Sequence, residues 1–210
     1  MPAQPHFQPR LILASTSRYR RELLQRLRLP FEVLAPDVDE STLPGEAPQA
    51  VAQRLALAKC TVISDLHPDA VVIGSDQVCE LDGQALSKPG DHARATAQLQ
   101  QLRGRNVVFH TAVAVRCLAR SYQSQECASV RVQYRALSDA EIETYLRLDT
   151  PYDCAGSSRC ESLGISLLDA IENDDPTALV GLPLIRTARM LRAVGIDPLN
   201  ERHAPQSPPA

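Results

Sequence analysis

A short apolar run, Leu11-Ile12-Leu13-Ala14, leads directly into Ser15-Thr16-Ser17-Arg18-Tyr19-Arg20-Arg21. Hydroxyls at a strand exit cap a following helix. The helix N-terminus then offers free N–H groups and the positive end of its dipole to an anion. Arginines in that first turn put like charge on the positive end, a local cost that a bound phosphate would remove. The plainer alternative is a solvated basic face. No GxxxxGK[ST] segment occurs, which excludes a P-loop. Pro36-Asp37-Val38-Asp39-Glu40 gathers carboxylates that suit a hard cation, although an acidic surface loop has the same composition. Gly74-Ser75-Asp76-Gln77 closes another apolar run and reads as a turn. A carboxylate at the end of a strand is where α/β folds bind ligands, and it can hold a metal or take a proton from water. A turn aspartate satisfying backbone N–H groups is the alternative. Cys154-Ala155-Gly156-Ser157, followed by Glu161 and Gly164, lets a backbone approach a ligand closely.

The elements that must carry these residues alternate in type. Residues 11–14 read as a buried strand, and 18–28 as a helix with Leu23, Leu24 and Leu27 on one stripe. Residues 31–35 form a second strand. An amphipathic helix spans 48–64 through Val51, Leu55, Ala58 and Val62. A third strand, 70–73, ends at the Gly-Ser turn. A helix covers 91–102. Segments 107–115 and 128–134 alternate as an antiparallel pair joined by a polar connection at 119–126. Ser138 with Glu141 three residues on marks a capping box for a helix over 138–148, and a last helix spans 184–194 and stops at Gly195. The mixture is α/β with antiparallel elements. Residues 10–199 form a single domain with room for two lobes, between disordered tails at 1–9 and 200–210 that are rich in proline.

Composition narrows the function. The chain has 210 residues, with 22 basic and 25 acidic groups and a formal charge of −3. That balance leaves no electrostatic footprint for a nucleic-acid backbone, and 4% aromatic content opposes stacking on bases. No apolar run approaches the roughly 18 residues of a membrane span. Residues 1–9 lack the apolar core of a signal peptide, so the expectation is a cytoplasmic protein with no membrane partner. The six cysteines form no CxxC pair and read as reduced thiols, a Cys154–Cys160 redox pair being the less favoured alternative. Among the basic residues only Lys59 and Lys88 are lysines. Lysine is a compact point charge on a flexible stem, where arginine is a planar fork.

In order, the segments LILASTSRYRRELLQ, APDVDES, RLALAKC, VIGSDQVCELDG, LSKPG, LSDAEIETYL, CAGSSRCESLGISLL and LVGLPL resemble the Maf family of nucleotide pyrophosphatases, across residues 11–199. The details are similar to the branch that acts on 7-methyl-GTP. The resemblance implies an α/β fold like that of the inosine-triphosphate pyrophosphatases, a mixed sheet flanked by helices with an active-site cleft. It implies hydrolysis of a nucleoside triphosphate to the monophosphate and pyrophosphate with a divalent cation, Mg²⁺ or Mn²⁺. It implies Asp76 as proton acceptor, and Tyr19, Gln77 and Glu161 as the residues that select the base. Ser15, Ser17, Arg20, Lys59 and Lys88 then hold phosphate, and Glu40 joins Asp76 at the metal. Asp76 as a metal ligand is equally consistent. A homodimer is compatible with the family, and no residue of the sequence shows one.

The residue chemistry agrees. Methylation at N7 makes guanine a cation, which an aromatic face such as Tyr19 attracts. An ionised Glu161 only accepts hydrogen bonds, and guanine's N1–H and N2–H donate. Gln77 can do both. The rival readings are a dTTP/UTP pyrophosphatase of the same family and a nucleotide-sensing, division-linked regulatory protein. One departure stands out: His110-Thr111-Ala112 has alanine where the family carries a Thr-Gly pair, which puts local loop geometry in question. His110 reads as a packed strand histidine.

Overall fold

The computed structural model describes residues 10–200. The expected tails, 1–9 and 200–210, lie outside the described residues except for residue 200. Twelve elements run in the order β1 (Leu11–Ala14), α1 (Arg18–Gln25), β2 (Glu32–Leu34), α2 (Pro48–Leu66), β3 (Val71–Leu81), β4 (Gln84–Leu86), α3 (His92–Leu102), β5 (Asn106–Cys117), β6 (Tyr122–Tyr134), α4 (Asp139–Asp149), β7 (Leu168–Glu172) and α5 (Leu184–Ala193). They build one mixed sheet in the order β2-β1-β3-β5-β6-β7, with β4 added to β3. The β1–β2 and β1–β3 pairings are parallel and the others antiparallel.

β3 organises the molecule. Its first residues, Val71 to Gly74, pair with β1, and Cys79 to Leu81 pair with β4. β5 runs along its other side from Val72 to Glu80. Between Gly74 and Cys79 the strand therefore has a neighbour on one side only, and the sheet forks there. Side chains alternate across a strand. Val78 faces α2, where it packs with Val51, Ala52, Leu55 and Ala56. Asp76 shares that face. Ser75 and Gln77 face the opposite layer. At one end of that layer Leu23 and Leu24 of α1 and Met190 and Leu191 of α5 cover β1, β3 and β5. At the other end α3 and α4 cover β5 and β6 through Leu99, Leu102, Ile142 and Leu146. The segment 178–181 lies between the two.

The local signals hold at most helix ends. Ser17 caps α1, Pro48 opens α2, Asp91 caps α3, and Ser138 and Glu141 form the expected capping box on α4. Three expectations need correction. Gly74-Ser75-Asp76-Gln77 is not a turn; β3 runs through it. Gly74 serves packing: a Cβ there would lie 2.3 Å from the Ala56 carbonyl oxygen and 2.6 Å from the Cys60 nitrogen. The polar stretch 119–126 belongs mostly to β6, whose half-solvated face reads as loop, and the true connection is a short turn with Ser121 at φ 48°. Ala112 lies in no loop. It sits in regular β5 opposite Asp76, fully buried against the α2 side chains. The edge strands β4 and β7 are too short to show alternation in sequence, and α1 ends three residues early, with Arg28 at φ 54°.

Candidate active site

The fork in the sheet opens into a cleft of about 1280 Å³, with a smaller hollow of about 610 Å³ adjoining it. Every residue expected at a site lines one or both. Asp76, Gln77 and Glu161 line the larger, Ser15 and Lys59 the smaller, and Ser17, Tyr19, Arg20, Glu40 and Lys88 border both.

On the α2 face the groups are charged. The absence of a side chain at Gly74 lets α2 approach β3, and Lys59 then reaches Asp76. Lys59 Nζ donates to Asp76 Oδ1 at 2.7 Å and lies 2.6 Å from Glu40 Oε1. Asp76 is 7% exposed and Lys59 5%. Asp76 Oδ2 has no protein partner among the described residues. Burial works against ionising Glu40, but the Lys59 hydrogen bond and the fields of Lys59, Lys88 and Arg20 outweigh it and hold its pKa below the usual value. Desolvation pulls the Arg20 pKa down, against the fields of Asp76 and Glu40. Arg20 Nε donates to the Gly181 carbonyl at 2.9 Å, and its two terminal nitrogens bond nothing else among the described residues. Lys88, on the exposed loop after β4, is equally free. Ser15 Oγ accepts from Ser17 N at 3.1 Å and Ser17 Oγ from Arg20 N at 3.4 Å, so both hydroxyls cap the helix and keep a proton to donate.

On the opposite face of β3 the side chains Ser75 and Gln77, with Thr111 beside them on β5, are neutral. Gln77 Nε2 donates to Thr111 Oγ1 at 3.0 Å, to the Ala178 carbonyl at 3.1 Å and to the Leu179 carbonyl at 3.0 Å. Carbonyls only accept, so the nitrogen must face them and Gln77 Oε1 is the end left for the cleft. Ser75 Oγ bonds the carbonyls of Ala112 and Gly181 at 2.8 and 3.1 Å. Tyr19 is not a bare aromatic face. The Arg18 guanidinium lies 4.7 Å from its ring centre and Arg18 Nη2 donates to its hydroxyl at 2.7 Å. A cationic base therefore has only the other ring face. Arg159 links this corner to the domain. Nη1 reaches the Tyr19 hydroxyl at 3.5 Å and Nη2 the buried Asp149 carboxylate at 2.9 Å. Glu161 is exposed on the rim, touched by Cys160 Sγ at 3.7 Å. All six cysteines are free, and burial pushes the Cys154 and Cys160 thiols up to about 12.

The sequence reading missed Thr111, Arg159 and the carbonyls of 178–181. Arg159 and residues 179–181 fall within quoted motifs without an assigned role, and Ala178 directly precedes one. Gly181 before Leu182-Pro183 was the available signal: its φ of 123° marks a backbone turned for its carbonyl. His110 is 7% exposed, paired with Glu80 at 2.6 Å and Ser129 at 3.0 Å, the packed histidine expected.

Mg²⁺ is commonly held by one or two carboxylates together with substrate phosphates. No group of three or more His, Cys, Asp or Glu among the described residues could hold a metal alone. Glu40 and Asp76, each with one oxygen on Lys59 and one free, fit the shared arrangement.

The family model described as "Maf-like protein" matches residues 10–194. The 7-methyl-GTP pyrophosphatase of Albidiferax ferrireducens is 65% identical over 192 residues, 91% of this chain and 96% of that one. That of Polaromonas sp. is 62% identical, covering 89% and 85% of the two chains, and that of Bordetella avium 55% identical, covering 92% and 98%. Among solved structures, the Staphylococcus aureus Ham1 protein aligns over 60% of this chain and 72% of its own at 15% identity, with a TM-score of 0.45.

Proposed function

The chain belongs to the Maf family, and on that premise we propose that it is a nucleoside triphosphate pyrophosphatase that hydrolyses 7-methyl-GTP to 7-methyl-GMP and pyrophosphate. One observation carries the choice of base: the Gln77 carboxamide turns its oxygen to the cleft that Glu161 also borders. Two acceptors suit the adjacent N1–H and N2–H donors of guanine, methylated at N7 or not. Uracil and thymine bring one N–H flanked by two carbonyls, which would face those oxygens unfavourably.

The chemistry belongs to the α2 face. Asp76 Oδ2 accepts the proton of a water that attacks the α-phosphorus, and the α–β bond breaks to release pyrophosphate. Lys59 holds the other carboxylate oxygen and fixes the direction in which Oδ2 points. The terminal nitrogens of Arg20, the Lys88 ammonium and the Ser15 and Ser17 hydroxyls are the donors for the phosphates. Glu40, through the oxygen that Lys59 leaves free, would hold a divalent cation, Mg²⁺ or Mn²⁺, which when bound polarises the phosphoryl group and acidifies water; Asp76 Oδ2 as a second ligand is the alternative to its role as proton acceptor. The partner in this reading is a small nucleotide, with no nucleic acid or membrane; a homodimer is compatible with it. We assign it to the cytoplasm, in keeping with free thiols; no helix among the described residues is long and apolar enough to cross a membrane.

A nucleotide panel with Mg²⁺ or Mn²⁺ tests the reading. Turnover of 7-methyl-GTP should exceed that of dTTP and UTP; the reverse order would overturn the assignment of the base.

A further inference from the structure

Thr111 takes no part in the chemistry just described, yet it is fully buried and both its hydrogen-bonding functions are used at the base side of the cleft. Its hydroxyl donates to the Ala178 carbonyl at 2.9 Å. With its proton spent there, Oγ1 can only accept from Gln77, which it does at 3.0 Å. The carboxamide of Gln77 thus meets three acceptors at its nitrogen and none of the described donors at its oxygen. A glutamine side chain free to turn would offer a base its NH₂ as readily as its oxygen. This one is set.

We propose that Thr111 is a positioning residue for base selection, acting through Gln77 and the Ala178 carbonyl that both side chains bond: with the Ala178 and Leu179 carbonyls it locks the carboxamide with its oxygen toward the cleft, so that the site reads a donor edge. The inference rests on the proposed function only for which nucleotide is preferred. The arrangement predicts that discrimination between donor-edged and acceptor-edged bases depends on a hydroxyl that touches neither substrate nor Gln77's free end. Ser75 makes the contrast, since its hydroxyl bonds carbonyls of Ala112 and Gly181 and leaves Gln77 alone.

The test compares wild type, Thr111→Val and Thr111→Ser. Valine matches threonine in shape without the hydroxyl, and serine restores the hydroxyl without the methyl. For each, kcat and KM are measured for 7-methyl-GTP, GTP, UTP and dTTP, together with the Tm. Thr111→Val should lower the wild-type preference ratio about five-fold or more, the scale of one lost hydrogen bond, and chiefly through KM. Thr111→Ser should restore the ratio even if its Tm is lower. A Thr111→Val enzyme with the wild-type ratio overturns the proposal, and so does an equal fall in kcat for every nucleotide with the ratio unchanged. A wild type that prefers dTTP or UTP refutes the proposed substrate instead. The Thr111 inference is then decided on whichever preference the wild type shows, because loss of the lock must still flatten it.

Discussion

The two faces of β3 solve opposite problems across one strand. Toward α2, the buried Asp76 and Lys59 and the exposed Glu40 form a charged cluster, whose edge Arg20 reaches from α1 in the opposite layer. Toward the 178–181 segment, Gln77, Ser75 and Thr111 form a neutral network on backbone carbonyls. Phosphate carries charge whatever its orientation, so the first face needs cations and a carboxylate in reach more than it needs angles. A base is told apart by the direction of its donors, so the second needs fixed dipoles. The supports differ accordingly. The charged face hangs on a long helix and a central strand. The neutral face hangs on β5 and on the backbone carbonyls of the short 178–181 segment.

The division is broken most directly at Asp76. Asp76→Asn keeps the shape and most of the hydrogen bonding but cannot take a proton. Its kcat should fall by about 10²–10⁴, the usual share of a general base. Binding of 7-methyl-GTP, followed by calorimetry, should survive, and the order of preference among bases should not change. Full activity in this variant would remove Asp76 from the chemistry. Gly74→Ala attacks the same face through its scaffold. The added methyl meets helix backbone at 2.3 Å, so α2 must move and take Lys59 from Asp76. Overpacking of this kind costs roughly 1–3 kcal/mol or more. Tm and turnover should both drop while the preference ratio stays, and an unchanged Tm would show that Gly74 does not set the approach of α2.

How far the sequence foretold this division depends on what kind of signal each residue leaves. Asp76 sits in an apolar run and Lys59 is one of only two lysines, so residue type draws attention to them, whereas Glu40 lies in an acidic stretch and is singled out by the family resemblance. The capping boundaries were legible because they are local, decided within four residues. Gly74 was misread because a glycine that admits a neighbouring helix looks, in sequence, like one that makes a turn. Its φ is ordinary, and only the position of Ala56 and Cys60 explains it. Thr111 and the 178–181 carbonyls, Gly181 apart, left no signal for a further reason. Their role lies in pairings between β5 and a segment some 67 residues away, made partly with backbone atoms that every residue possesses. The same blindness affected Tyr19: its type suggested an open cation-binding face, and its neighbour Arg18 had already taken one side.

A smaller effect is expected at Lys88, which sharpens the claim that the charged face tolerates freedom of direction. Lys88 is exposed and unpaired among the described residues, and its field contributes to holding Glu40 ionised. If it serves as a swinging point charge for phosphate, Lys88→Arg should lower kcat/KM several-fold, because a planar fork fits one geometry. Arg26→Lys, on the exposed end of α1, is the control and should behave as wild type. Equal rates in the two variants would reduce Lys88 to a surface charge.

The smallest effect concerns α4, whose last residue, Asp149, anchors Arg159 and through it the Tyr19 corner of the cleft. Ser138 Oγ accepts from Glu141 N at 3.3 Å, and Glu141 Oε2 accepts from Ser138 N and from its hydroxyl, each at 2.8 Å. The backbone bond from Ser138, then its side-chain bond, then Arg135 hold the Glu141 pKa down from 4.5 to about 2. A folded pKa below the unfolded one stabilises the protein fully above the unfolded value and loses that contribution as pH falls toward the folded one. The box should therefore weaken between about pH 4.5 and 2. Ser138→Ala removes the cap, worth about 1 kcal/mol at neutral pH, and one of the bonds that lower the pKa. Denaturant unfolding at pH 7 should show the variant less stable, and the gap to wild type should narrow as pH falls toward 2. A gap that stays constant with pH would mean that Glu141 does not share in the cap. A base-preference ratio equal to wild type at pH 7 would show that Asp149 holds Arg159 independently of how firmly α4 begins.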